Sequence, residues 1–200
     1  MKKSFIALLA AVALMASSCV TGMGTTANTS TSSGLLGLLG NVLLGGGMSQ
    51  SGLLGGWFYN APGAAFTSEQ TLNKAGGATA ASNLVTSLAP SYKKMGISRK
   101  NTSFRFAANN QFSAQVNGIP FNGTYAYNEQ TGAIALKSGN QTISGNVTKT
   151  AKGIGLMFDA NQMVTMLQSV GKVNNAEAVQ AVSQLARSTD GARVGFELTK

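Results

Sequence analysis

Reactive side chains are scarce in this chain, and the scarcity narrows the chemistry open to it. The sequence has no histidine and a single cysteine, Cys19. Without histidine there is no Ser-His-Asp triad, and a zinc or haem site loses its commonest ligands. The acidic residues are Glu69, Glu129, Asp159, Glu177, Asp190 and Glu197. Each falls in a separate predicted element, so no pair is placed to share the acid and base work of glycoside hydrolysis. No glycine-rich loop joins a strand to a helix in a way that would cradle a phosphate. The residues therefore argue against an enzyme, and no cofactor or metal is expected.

Cys19 is the one side chain whose surroundings define a reaction. Met1-Lys2-Lys3 forms a basic start, Phe5 to Met15 an apolar run, and Ala16-Ser17-Ser18 a stretch of small residues. This pattern predicts a secretory signal peptide over residues 1–18, whose apolar run is too short to span a bilayer permanently. A cysteine directly after small cleavage-site residues resembles a bacterial lipobox, in which the thiol is diacylated and becomes the new N-terminus. Several acyl chains anchor a protein stably, so a membrane is the first partner expected. The competing reading is an ordinary secretory signal that leaves a spare thiol. Either way, one cysteine cannot form an internal disulfide.

The formal charge is +9, and removal of the signal takes away Lys2 and Lys3. The remaining charge is modest and scattered, densest at Lys93-Lys94 and Arg99-Lys100. Those positions read as solvated loops, with an anionic lipid surface or glycan phosphate as the alternative. An exported chain with scattered lysines is a poor candidate for nucleic acid.

The elements that would position a site begin after a long tether. Residues 19–52 are rich in Ser, Thr, Gly and Leu and contain no charged residue. Such a composition predicts a flexible segment. Within it, residues 34–44 carry enough leucines to form a small apolar helix on the membrane or in the barrel, or else a hydrophobic tether. A domain is expected over 53–200. Gly55-Gly56-Trp57-Phe58-Tyr59 reads as its first strand, ended by Ala61-Pro62-Gly63. Thr67-Ser68-Glu69-Gln70 reads as a capping box. It opens a helical segment marked by Leu72, Ala75, Ala78, Ala81, Leu84, Val85 and Leu88, with Pro90 as its stop and Ser91 to Gly96 as room for one further helical turn.

Between Asn101 and Asp159 the pattern changes to short alternating segments separated by turn residues. Phe104 and Phe106 share one face, and Phe112, Ala114 and Val116 repeat the two-residue period. Asn117-Gly118 is a strong hairpin signal, because a type I′ turn needs positive φ at both central positions. Turns at Glu129–Gly132 and Ser138–Asn140 complete six strands. Two helices follow. The first carries Met163, Val164, Met166, Leu167 and Val170 and is closed by Gly171. The second, capped by Asn174 or Asn175, carries Val179, Val182, Leu185 and Ala186. Val194, Phe196 and Leu198 then form a last strand. Eight antiparallel strands can close on themselves and remove both edges. The expected fold is therefore mainly β: an eight-stranded antiparallel barrel with a helical insert after strand 1 and two helices before the last strand. Phe104, Phe106, Phe112 and Tyr125 are the candidate ligand-lining residues, and an ordinary packed core is the blander account of the same four.

A Gly-x-Trp-like first strand with an arginine on the last strand resembles the lipocalin and wider calycin layout. There the Trp packs at the closed end beside that arginine, which implies that Trp57 and Arg193 close the barrel together. More specifically, the chain resembles a family of Bacteroidetes lipoproteins with a lipocalin-like domain. The resemblance rests on Leu54-Gly55-Gly56-Trp57, Lys74-Ala75-Gly76-Gly77-Ala78, Asn101-Thr102-Ser103-Phe104-Arg105-Phe106 and Phe121-Asn122-Gly123-Thr124-Tyr125. It extends to Leu156-Met157-Phe158-Asp159-Ala160 and Val194-Gly195-Phe196-Glu197-Leu198. It implies a fold and a cell-envelope location, and carries over no catalytic or binding residue. Two functions follow as expectations. One is a lipid-anchored barrel that holds a small apolar or amphipathic ligand in its lumen. The other is a structural or interaction protein of the outer membrane, with a packed barrel and an envelope protein partner. The expected location is the outer membrane facing the periplasm, since Val20-Thr21-Gly22 carries no aspartate that would retain it on the inner membrane.

Overall fold

Tight turns set the strand order. Asn117 and Gly118 both have positive φ, 51° and 79°, the twist-matched geometry of a two-residue hairpin. They join β3 (Gln111–Val116) to β4 (Ile119–Tyr127), with Val116 opposite Ile119. Gly139 (φ 57°) and Asn140 do the same between β5 (Ala133–Ser138) and β6 (Gln141–Lys149), where Ser138 faces Gln141. The computed structural model describes residues 47–67, 71, 73, 76, 78–170 and 176–200. In it β1 (Gly55–Phe66), β2 (Ser103–Phe106), β3 to β6, β7 (Gly153–Phe158) and β8 (Ala192–Thr199) are each antiparallel to the next. The last strand β8 pairs back with β1, so the sheet is a closed eight-stranded barrel. This is the mainly β, eight-stranded antiparallel barrel that the alternation implies.

Alternation also sorts the side chains. Phe104 and Phe106 of β2, Phe112, Ala114 and Val116 of β3, and Ile134 and Leu136 of β5 are all buried. Arg105, Ser113 and Gln115 between them are exposed, as is Lys137 after Leu136. Burying the first set against the facing strands contributes about 1.5–3 kcal/mol per large side chain. Gly123 does not bulge its strand. It stays in register opposite Phe112, and its lack of a side chain lets the backbone of β5 approach.

Helices close the two ends. The short α1 (Gln50–Leu53) is capped by Ser49, whose Oγ accepts from the Gly52 amide at 3.2 Å. Its segment ties two hairpin turns together: the Gln50 amide donates to Glu129 Oε1 at 2.7 Å, and the Gln50 side chain to Asn110 Oδ1 at 3.2 Å. At the opposite end lie α2 (Ala78–Lys94), in the β1–β2 connection, and α3 (Ala160–Ser169) and α4 (Ala176–Arg187), between β7 and β8. Asp159 caps α3 by accepting from the Gln162 amide at 2.8 Å. Met163, Met166, Leu167 and Val170 of this region join the same core as the barrel interior.

Three elements differ from the sequence expectation. The first strand continues through Ala61-Pro62-Gly63 to Phe66. Proline is tolerated there because β2 pairs with β1 only up to Phe58, so beyond it β1 has β8 alone as a neighbour. A register irregularity between Tyr59 and Ala61 bends it. Pro90 does not stop α2, which runs on to Lys94. The apolar stripe Leu84–Leu88 continues at helical spacing to Tyr92 and Met95, all buried, and that burial outweighs the hydrogen bond that proline removes. Order reaches at least to Gly47, earlier than Leu53: the Met48 amide donates to the Tyr127 hydroxyl at 2.9 Å, and that hydroxyl donates to the Met48 carbonyl at 2.8 Å. The signal peptide, Cys19, the leucine-rich run at 34–44, most of the capping box, Gly171 and Asn174-Asn175 lie outside the described residues.

Candidate functional site

The residues expected to line a lumen come together, and their rings pack on one another. Phe104, Phe106, Phe112 and Tyr125 are each 4% exposed or less. Phe106 meets Tyr125 edge-on at 5.2 Å between ring centroids, and Phe112 meets Phe121 at 5.3 Å. Phe104 packs at 5.6 Å against Phe196, which lies at the centre of a larger cluster. Around Phe196 stand Tyr92 at 5.9 Å, Tyr59 at 6.2 Å and Phe158 at 6.5 Å. Each such ring pair contributes about 0.5–1.5 kcal/mol beyond its area. Two polar tips in this interior are satisfied by backbone: the Tyr125 hydroxyl donates to the Ala107 carbonyl at 3.0 Å and the Tyr92 hydroxyl to the Gly195 carbonyl at 2.8 Å. Tyr92, on α2, thus reaches from the helical cap into the strand wall. The sequence signal for it was the stripe that passes Pro90.

The ionisation of these phenols follows from their burial. Tyr59 is held well above its ordinary value of 10.0 by desolvation. Tyr92 is raised by burial first and then by its neighbour Tyr59, with which it stacks at 6.2 Å. Tyr127 is raised by burial, an effect opposed by its hydrogen bond to the Met48 backbone and reinforced by Glu129. A raised folded-state value means that the fold favours the neutral phenol. The associated stability is complete below about pH 10 and is lost as pH rises beyond it. Tyrosinate absorbance during alkaline titration should therefore show Tyr59 and Tyr92 ionising together with the loss of near-ultraviolet circular dichroism. Independent ionisation of all four tyrosines near pH 10, with the fold intact, would contradict this burial.

Trp57 and Arg193 are not brought together. The Trp57 indole N–H donates to the Leu53 carbonyl at 2.8 Å, tying β1 to α1. The cation over its ring is Lys200, at 4.9 Å. Arg193 stands opposite Ala65, at the other end of the β1–β8 ladder, and donates to Asn146 Oδ1. Antiparallel pairing accounts for the difference. Arg193 lies near the start of β8, so it meets the end of β1, while the end of β8 meets Phe58 and Tyr59.

Outside the lumen, three concave regions stand out. One of about 440 Å³ lies between α3 and α4, with Val164, Leu167, Val179 and Arg187 among its walls. A second, of about 340 Å³, lies on β4–β6 over small residues such as Ala126, Ala133, Ala135 and Ser144. The third, of about 310 Å³, lies on β1–β3. Phe58, on its wall, is the exposed large hydrophobic side chain among the described residues, at 44%. Among the described residues no three Asp, Glu, Cys or His side chains converge as a metal site would require.

Comparison with known proteins gave one family. A family model described as lipocalin-like domain (DUF4923) matches residues 38–200. No curated protein matches the chain, and no solved structure does.

Proposed function

Because the chain belongs to the lipocalin-like domain family, we propose that it is a non-enzymatic, lipid-anchored protein of the cell envelope whose recognition surface is the outside of a filled barrel. The observation that carries this reading is the interior. The inward rings of β2, β3, β4 and β8 pack on one another, and helices cross both ends. Small barrels either fill with side chains or enclose one ligand, and here the aromatic side chains occupy the space. Anchoring is supported by the signal-like residues 1–18 and by Cys19 directly after them. An outer-membrane position facing the periplasm accords with Val20-Thr21-Gly22. Exposure of the lipidated protein to external protease on intact cells would overturn that placement.

A second reading, a small apolar ligand held in the lumen, is favoured by the family itself. Native mass spectrometry of the full-length protein, extracted in detergent from its own host, separates the two. Acyl chains on Cys19 survive denaturation, whereas a lumen ligand does not. The filled-barrel reading expects the same mass before and after denaturation. A lipid-sized adduct lost on denaturation would make the protein a carrier.

A further inference from the structure

We propose that the outer face of β1–β3 binds an anionic sugar, with Phe58 as the platform, Arg105 as the cation and Arg99 as the residue that positions the platform. The proposal rests on the outer-surface reading and names its ligand. Phe58 points outward because Trp57 and Tyr59 on either side are buried. Leaving a phenylalanine 44% exposed forgoes a good part of the stabilisation that full burial would contribute. The ring is nonetheless held in place. The Arg99 guanidinium lies 5.4 Å over it and is itself fixed, donating to Thr199 Oγ1 at 2.6 Å and to the Lys200 carbonyl at 3.2 Å. A cation over one ring face both orients the ring and fixes a positive charge beside the depression.

The depression itself suits one sugar ring. Its volume of about 310 Å³ is at the small end of ligand pockets. Gly56 opens it: a Cβ at that position meets nothing within 4 Å. Ser103, Ser113 and Gln115 line it with neutral donors and acceptors. Arg105, in register with Gly56, is exposed and has no hydrogen-bond partner among the described residues. Its forked donors match a carboxylate or phosphate in two-point geometry. Glu197, on β8 opposite Ala61, accepts from the Asn60 side chain at 3.3 Å. A pyranose presents an apolar C–H face, hydroxyls at its rim and, in sugar acids and sugar phosphates, one anionic group. Those three features correspond in turn to Phe58, the Ser/Gln lining and Arg105. A bilayer surface fits less well, because it would need several exposed apolar side chains together. The sugar can be free in solution or the head group of a glycolipid.

The test is a titration of the full-length protein in neutral detergent, followed by the fluorescence of Trp57, the single tryptophan. The probes are glucuronic acid, glucose, inorganic phosphate, and micelles doped with phosphatidylglycerol or with a phosphorylated glycolipid. Glucuronic acid should bind with a dissociation constant of roughly 1 mM. Glucose and phosphate should bind at least about tenfold more weakly, and added salt should weaken the complex. Phe58→Ala, Arg105→Ala and Gly56→Val, all on the exposed face, should each lower affinity about tenfold, and Phe58→Trp should preserve it. Tighter binding to the glycolipid than to glucuronic acid assigns the source to a head group, and the reverse order assigns it to a free sugar. Phosphate binding as well as the sugar acid, phosphatidylglycerol binding that Phe58→Ala leaves unchanged, or no response to any probe overturns the proposal. These failures would leave the native mass unaltered, so they are distinguishable from failure of the filled-barrel reading.

Discussion

Replacing Phe196 with alanine should lower the unfolding free energy by about 3–5 kcal/mol, the usual cost of a buried Phe→Ala change. Phe196 is fully buried and meets Tyr59, Tyr92, Phe104 and Phe158. Its loss removes its own transfer energy, opens a cavity, and takes a partner from each of four rings that belong to β1, α2, β2 and β7. Collapse into the gap is limited because the Tyr92 hydroxyl is tied to the Gly195 carbonyl. Domains are stable by roughly 5–15 kcal/mol, so the variant should be partly unfolded at physiological temperature. Equilibrium denaturation in urea measures this as a fall in midpoint at constant slope. A change below about 1 kcal/mol would mean that the rings do not pack as described.

The second large effect is expected at Gly123. A Cβ there would lie 1.9 Å from the Lys137 carbonyl oxygen and 2.9 Å from its carbon. Both are backbone atoms of β5, so no side chain can move aside. Gly123→Ala must push β4 from β5 just where their pairing begins, at Thr124 opposite Lys137. Overpacking of this kind costs about 1–3 kcal/mol or more. Hydrogen exchange should then speed at Tyr125 to Tyr127 and at Ile134 to Lys137 beyond the rest of the barrel. Gly56→Ala is the control. It meets nothing within 4 Å, so its stability should stay within about 0.5 kcal/mol of the parent protein. Equal losses in the two variants would show that glycine is needed for chain conformation and not for the approach of β5.

Much of this architecture is legible in the sequence because it is local. Asn117-Gly118 dictates a turn by φ alone, and Phe112-x-Ala114-x-Val116 dictates a face by period alone. The misread positions are those where distant contacts outweigh local preference. Pro62 looks like a strand end but lies where one edge of β1 has no partner. Pro90 looks like a helix end, but Tyr92 and Met95 beyond it are core residues. Periodicity marks Phe104 as buried, yet it carries no information that Phe196, more than ninety residues later, is the ring it meets. Lys200 over Trp57 is likewise a product of barrel closure, and Arg99 over Phe58 a product of the β1–β2 pairing. Neither cation has a sequence neighbour that announces its aromatic partner.

Closure of the barrel through β1 and β8 also sets a kinetic constraint. The strand at Gly55–Phe66 gains its long partner only when the strand at Ala192–Thr199 exists. During synthesis nearly the whole domain is therefore made before the seam can zip. Until then β1 and β7 each present an open edge, and open edges pair with whatever strand is near. Contacts so distant in sequence also slow folding, since loop-closure entropy must be met before they form. A chain of this topology relies on being kept from its neighbours until its last eight strand residues arrive.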